Sequence, residues 1–515
     1  MRNTTFLVMS YLTALALILL SVKQASAEIG KIGKGLYKYD RDSTNWFEWG
    51  WHDEDVRFVP RPYHYHLFRS NNMKRPDKGL GGHTYHSFRN PSMVNSRTGR
   101  LLAFGEGRRY DNREFGYIDI VLKRNTDLDE FQSHYITDYA HKWQPMQELF
   151  PGLNGTWTNP TAVPDGGTIY LFMNWNRADY SRNGNDTLIT GEKTKKIDNT
   201  EEGRRRVYLS ESVDDGKTWS PPKDMTEIVT PPGSGWDVVG PGRGIKLRYT
   251  AEIVVPAMGR NIIGRGKAGK RTWSYQLLNG SGEEGTIVQT PDDRLFRNDR
   301  ANPGDGYRRV SRGTLDEGFE PFYLDKNLPD PGDINSGGHM IMYSYRNWSN
   351  PFPENHRIIF INPASNSSND ALRAQISYYY DASSFGVWHD FKDSPPRCKM
   401  GGFDTGRATS AFIPGATKDF LGILSELAFN QTGGGSRVDH FTLYYRFTVL
   451  AWILDGHTLG VMTDVEEEDP EKRIDPDGMR RYPNPEDDPR PIQYPNPKRG
   501  LQRDWSGKKL REYGG

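Results

Sequence analysis

Apolar residues in this chain come in bursts too short to build helices. Leu101-Leu102-Ala103-Phe104 follows a turn at Arg97-Thr98-Gly99-Arg100, and Ile118-Asp119-Ile120-Val121-Leu122 alternates in polarity soon after. Gly167-Thr168-Ile169-Tyr170-Leu171-Phe172 repeats the arrangement of a turn followed by a buried run. Short apolar runs punctuated by Gly, Asn and Asp predict antiparallel strands joined by hairpins. Helical heptads are nowhere sustained, and the 54 Gly, 33 Pro, 27 Tyr and 13 Trp fit a chain of strands and turns. At 515 residues it exceeds an average domain, yet all-β architectures of such length form single units.

The ends differ from the middle. Phe6 to Val22 is apolar after Met1-Arg2, and Ala25-Ser26-Ala27 offers small residues for cleavage before Glu28, which predicts a signal peptide over 1–27. An uncleaved anchor is the alternative, because the run approaches spanning length. Either reading sends the rest of the chain to the secretory lumen or the outside. The triplets at Asn154, Asn185, Asn279, Asn347, Asn366 and Asn430 agree as glycosylation acceptors. Residues 28–75 form an N-terminal extension in which Trp46, Trp49 and Trp51 cluster, and residues 463–515 form a disordered tail dense in Pro and charge. Cys398 is the only cysteine, so no intramolecular disulfide exists and the thiol reads as a small buried hydrophobe. The net charge of +1 gives no reason to invoke a nucleic-acid partner.

Ser212-Val213-Asp214-Asp215-Gly216-Lys217-Thr218-Trp219 is the sharpest local motif. It predicts a hairpin turn in which Ser and Asp cap backbone amides, Gly takes a positive φ and Trp packs beneath. Weaker echoes stand at Asn125-Thr126-Asp127, Ser311 to Gly318 and Ser377 to Trp388, as a propeller of four-stranded blades would produce. Gly240-Pro241-Gly242-Arg243-Gly244-Ile245 could cradle a phosphate, but no helix follows it.

Phe88-Arg89-Asn90-Pro91, Leu101 to Arg109, Ile118 to Arg124, the Ser212–Trp219 motif and the Gly240 segment together resemble exo-sialidases of the neuraminidase superfamily, in the expected order over roughly residues 80 to 460. Asn90 stands where that family's signature has Ile. The resemblance implies a six-bladed β-propeller over 76–462, with the Ser212–Trp219 turn as an Asp box on its rim. No cofactor and no metal-ligating residue is assigned from the sequence. The resemblance also implies release of terminal sialic acid, or a related 2-keto-3-deoxy sugar acid, from sialylated glycans or gangliosides.

Sialic acid carries a carboxylate on its anomeric carbon, which suits fixed guanidinium groups. The resemblance places Arg89, Arg300 and Arg373 in such a clamp, with Arg108 beside them as a further substrate-binding residue. It places Glu284 as the glutamate that takes a proton, with Glu283 as the alternative. The proton donor falls on Glu114 or Asp111, where the family has Asp. Its tyrosine nucleophile falls on Thr409, which has no phenol. Two activities therefore follow: a glycosidase in which Glu284 activates water directly, or a sialic-acid-binding propeller that has lost turnover. A structural propeller with no sugar site is the third reading.

Overall fold

The computed structural model describes residues 45–46, 63–73, 75–125, 143–330, 337–344, 356–363, 372–377, 382, 385, 387–390, 402–413, 420–430 and 438–449. Residues 1–44, Trp49, Trp51, Cys398, Asn347, Asn366 and the tail 463–515 lie outside them, and with them the readings of leader, thiol and disorder. The described chain is all-β. Its helical content is one turn of α-helix, Thr226–Val229, and one 3-10 turn, Leu80–Gly82. No helix among the described residues is long and apolar enough to cross a membrane.

Antiparallel hairpins follow one another along the chain. Ser87–Asn95, Leu101–Arg108 and Ile118–Arg124 pair in order, as do Thr156–Asp165, Thr168–Asn176 and Arg206–Ser212. Ile253–Ala257, Arg260–Lys267 and Lys270–Leu277 continue the pattern, then Glu283–Gln289, Leu295–Arg300 and Tyr307–Thr314. His339–Ser344, His356–Pro363 and Leu372–Ser377 form a further group. Gly402–Ile413, Phe420–Asn430 and Val438–Val449 come last, and their sheet is completed by Tyr63–Phe68 from the other end of the chain. The first strands of these groups touch in sequence. Gly402–Ile413 meets Ser87–Asn95, which meets Thr156–Asp165; Glu283–Gln289 meets His339–Ser344, which meets Gly402–Ile413.

Tyr63–Phe68 falls inside the stretch read from sequence as an N-terminal extension ending at 75. It is instead a strand in register with the last one, His64 opposite Arg446 and Tyr65 opposite Tyr445. His66 Nδ1 lies 3.1 Å from Thr442 Oγ1, and Leu67 and Phe68 enter a core cluster with Phe88, Met93, Leu424 and Leu443. Trp46 pairs with His64 on the far side of the same strand.

The Ser212–Trp219 turn is built as its residue types dictate. Ser212 Oγ accepts the Gly216 N–H at 2.9 Å, and Asp214 Oδ1 accepts the Thr218 N–H at 2.9 Å. Gly216 has φ +76, and a Cβ there would lie 2.2 Å from Leu102 Cδ2, so conformation and space both require glycine. Trp219 donates to the Gly216 carbonyl at 3.2 Å and packs edge-on against Phe104.

One irregularity recurs and positions the site. The first strands of three groups carry a bulge near their starts, at Arg89/Ser92, Thr158/Thr161 and Glu283/Thr286. In each, the bulging residue takes a left-handed backbone: Asn90 at φ 50, Asn159 at φ 56 and Glu284 at φ 49. Asn tolerates this region, and the Pro that follows at 91 and 160 lacks the N–H that a bulge leaves unpaired. Glu has no such excuse, and holding it there costs about 1–3 kcal/mol.

Candidate functional site

The bulges turn charged side chains toward one another at the starts of the first strands. Glu426 is fully buried; it accepts Arg89 Nη2 at 2.8 Å and the Asn90 N–H at 2.8 Å. Arg89 also lies 4.3 Å from the centroid of the Phe441 ring. Glu106, also buried, takes Arg108 through Nε at 3.0 Å and Nη2 at 2.7 Å. Its other oxygen accepts the Asn159 N–H at 2.9 Å and the Asn90 amide. Asn90 thus links two glutamates and two bulges, and an isoleucine there would keep the backbone bond to Glu426 but lose the side-chain bonds to Glu106 and to Asn159.

Glu284 has both carboxylate oxygens committed. Oε2 accepts Arg300 Nη1 at 3.0 Å, and Oε1 accepts Arg407. Glu283 takes Arg300 at 2.9 Å and Arg182 at 2.7 Å, nearer the surface. Arg407 also reaches Glu114, at 3.7 Å. Burial would lower the pKa of Arg407, but Glu284, Glu114 and Glu426 hold it above the ordinary arginine value. Burial would raise that of Glu114, but the guanidiniums of Arg407, Arg108, Arg89 and Arg205 hold it at about 2. The Glu114 side chain is 41% exposed, so its burial is partial and the arginines decide the direction.

The residues singled out from sequence therefore divide. Arg89, Arg108, Arg300, Glu114 and Glu284 are tied to one charged cluster through shared partners. Asp111 is not: on the same loop as Glu114, it accepts Arg113 Nε and the Arg113 N–H, each at 2.8 Å. Arg373 is buried on Leu372–Ser377, opposite Asn362 and Asp390. Thr409, which falls where the family has its tyrosine, makes none of the bonds that Glu284 accepts; these come from Arg300 and Arg407. Thr409 Oγ1 is buried with no hydrogen-bond partner, and Ala411, on the same face of its strand, sits in the core with Met93 and Leu424.

Arg407 and Arg205 escaped the sequence reading. Arg407 lies in the irregular stretch between Asp404 and Ala408, where the pairing register shifts, so counting alternate residues back from Thr409 does not reveal its direction. Arg205 is one of three consecutive arginines, 204–206, of which it alone is buried, over the Trp236 ring at 4.4 Å. His83, Asp119 and Glu148 bring ligand atoms within 4.8 Å of one another. Arg109 already supplies positive charge there, donating to Asp119 at 2.6 and 3.0 Å and to Glu148 at 3.5 Å.

Five guanidiniums interleaved with carboxylates, largely withdrawn from water, can hold a small carboxylate and move a proton beside it. No protein-family model matches the chain. An exo-alpha-sialidase of Aspergillus fumigatus is 47% identical over 411 residues, 79% of this chain and 95% of its own length. An exo-alpha-sialidase of Arthroderma benhamiae is 46% identical over 398 residues, 76% of this chain and 91% of its own. Among solved structures, the Hadza microbial sialidase Hz136 superposes with a TM-score of 0.55 at 19% identity, covering 78% of this chain and 71% of its own, a likeness of fold. Shared over nearly the whole length of two such relatives, the sequence establishes that this chain belongs to the exo-alpha-sialidase family of glycosidases.

Proposed function

We propose that the chain is a secreted hydrolase that releases terminal sialic acid, or a related 2-keto-3-deoxy sugar acid, from sialylated glycans or gangliosides. The observation that carries this reading is the cluster in which Arg89, Arg108, Arg300 and Arg407 surround Glu114 and Glu284. Arg89 and Arg300, with Arg373, form the carboxylate clamp; Arg108 holds the floor of the pocket through Glu106. The scaffold is a six-bladed β-propeller beginning near residue 63, its last blade closed by Tyr63–Phe68, with the Ser212–Trp219 turn as an Asp box. The antiparallel groups and the contacts between their first strands support that count.

Glu114 is the proton donor. In the free protein four guanidiniums keep it ionised. A substrate carboxylate brings a negative charge among them, offsets their field and raises the affinity of Glu114 for the proton that it passes to the leaving oxygen. Glu284 takes a proton from water as the water attacks the anomeric carbon on the side away from the leaving group. Arg407 must give up Oε1 of Glu284 for this to happen. That same contact favours a second reading, a sialic-acid-binding propeller in which Arg407 has silenced the base.

Hydrolysis of a fluorogenic sialoside, run beside its Kdn analogue, tests both. Turnover by the wild type, a fall of about 10² or more in Glu284→Gln and little change in Thr409→Ala are expected. Saturable binding of free sialic acid with no product released establishes the second reading and removes the first. Loss of turnover in Thr409→Ala, with binding intact, removes the water-attack step.

A further inference from the structure

A second collection of cationic side chains stands at the opposite ends of the same strands. Arg89 and Glu284 lie near the starts of Ser87–Asn95 and Glu283–Gln289, whereas Asn95 and Gln289 at their ends line a cavity of about 510 Å³. At about 3.3 Å per residue, the step from Arg89 to Asn95 separates the two places by roughly 20 Å. Arg97, Arg243, Lys246 and Arg248 contribute to the cavity wall, with Met340 and Met342.

Two of the four cations are neutralised. Lys246 meets Asp165 at 2.7 Å, and Arg248 meets Asp293 at 2.9 Å. Arg97 and Arg243 have no acidic partner among the described residues. Arg243 Nε is buried and makes no hydrogen bond. Burial, with no carboxylate to oppose it, pushes the Arg243 guanidinium down to about 10.

His339 shows the same deficiency beside it. A Cβ on Gly242 would lie 3.7 Å from His339 Cδ2, so the ring abuts the Arg243 backbone segment. The Ser410 N–H donates to His339 Nδ1 at 3.1 Å, which makes Nδ1 an acceptor and leaves the ring proton on Nε2. Nε2 is buried in a residue 1% exposed and has no acceptor. Burial and the charge on Arg243 both press the ring toward its neutral form. Unsatisfied buried donors are rare in folded proteins; Arg243 Nε, on the wall of a cavity with unneutralised arginines and with His339 Nε2 unsatisfied near the same segment, marks the place of a missing acceptor.

We propose that this cavity is an oxyanion site separate from the glycosidase centre, which binds a carboxylate, phosphate or sulfate against Arg243, with Arg97 at its outer edge. Planar guanidinium recognises all three groups through paired N–H donors. Met340 and Met342, which line the same cavity, leave it an apolar part for a body attached to the anion.

The test is thermal unfolding of the full chain in sodium phosphate, sodium sulfate or sodium glucuronate, each against chloride of equal ionic strength. An oxyanion can also occupy the arginines of the glycosidase centre, so the comparison with Arg243→Gln carries the result. The wild-type midpoint rises saturably with at least one oxyanion, the rise falls by half or more in Arg243→Gln, and sialoside turnover by that variant stays within about twofold of wild type. A response to glucuronate alone identifies a sugar acid as the ligand; a response to phosphate or sulfate identifies the inorganic group. Equal responses in wild type and variant, or none beyond chloride, overturn the proposal. Should Arg243→Gln fail to fold, Arg97→Gln, which alters an exposed side chain, is expected to need several-fold more oxyanion for the same rise, and an unchanged requirement overturns the proposal.

Discussion

Glu114 carries one methylene more than the aspartate that its family places there, and it sits at the mouth of the cluster, 3.7 Å from Arg407. A proton donor, the role proposed for it, matters in proportion to how badly the leaving group needs a proton. Glu114→Gln should therefore slow release from a natural glycoside by about 10² or more and from an activated aryl sialoside far less, measured as kcat on the two substrates. Equal losses would assign Glu114 to binding. Glu426 offers a test by pH. Burial pushes its pKa up, but Arg89, Arg407 and the Asn90 N–H bring it below the ordinary glutamate value. A carboxyl depressed in the folded state stabilises the protein above its unfolded pKa, and that contribution is lost as pH falls through the folded one. Glu426→Gln should lower the urea midpoint at pH 7 and flatten its decline between pH 7 and pH 3. The sequence displayed Arg89, Arg108, Arg300, Glu114 and Glu284 because each sits in a short motif with a recognisable order. It concealed Arg407, because a register shift between Asp404 and Ala408 decides where that side chain points, and such a shift has no signature in residue type.

Elements were legible where their ends carry Gly, Asn or Pro. Leu101–Arg108, Ile118–Arg124 and Thr168–Asn176 fall where short apolar runs predicted strands, and the Ser212–Trp219 turn has the geometry that its side chains call for. Tyr63–Phe68 was missed because its sequence, Tyr-His-Tyr-His-Leu-Phe, is polar and aromatic and finds its partner only at the other end of the chain. Val438–Val449 would otherwise present a twelve-residue edge rich in aromatic side chains. Removing residues 1–62 should leave soluble protein, whereas removing 1–68 should leave aggregates, as read by light scattering of the purified fractions. Soluble, active protein from the shorter variant would show that the strand is dispensable.

At the scale of the molecule, the placement of the acceptor triplets bears on where the protein works. Asn154, Asn185 and Asn279 are exposed in the folded chain, as an accessible glycan site must be. Secreted protein from a glycosylating host should begin at Glu28 and lose mass on treatment with a peptide N-glycosidase; protein that retains residues 1–27 and stays with membranes would establish the uncleaved anchor. The bond between His66 and Thr442 spans 376 residues of chain. Synthesis at about 5–20 residues per second makes the first strand wait roughly 20–75 s after it is made before its partner exists. The sheet that unites the two ends must therefore form after translation is nearly complete, and during that interval Tyr63–Phe68 is an unmatched strand that a chaperone, rather than the fold, has to protect.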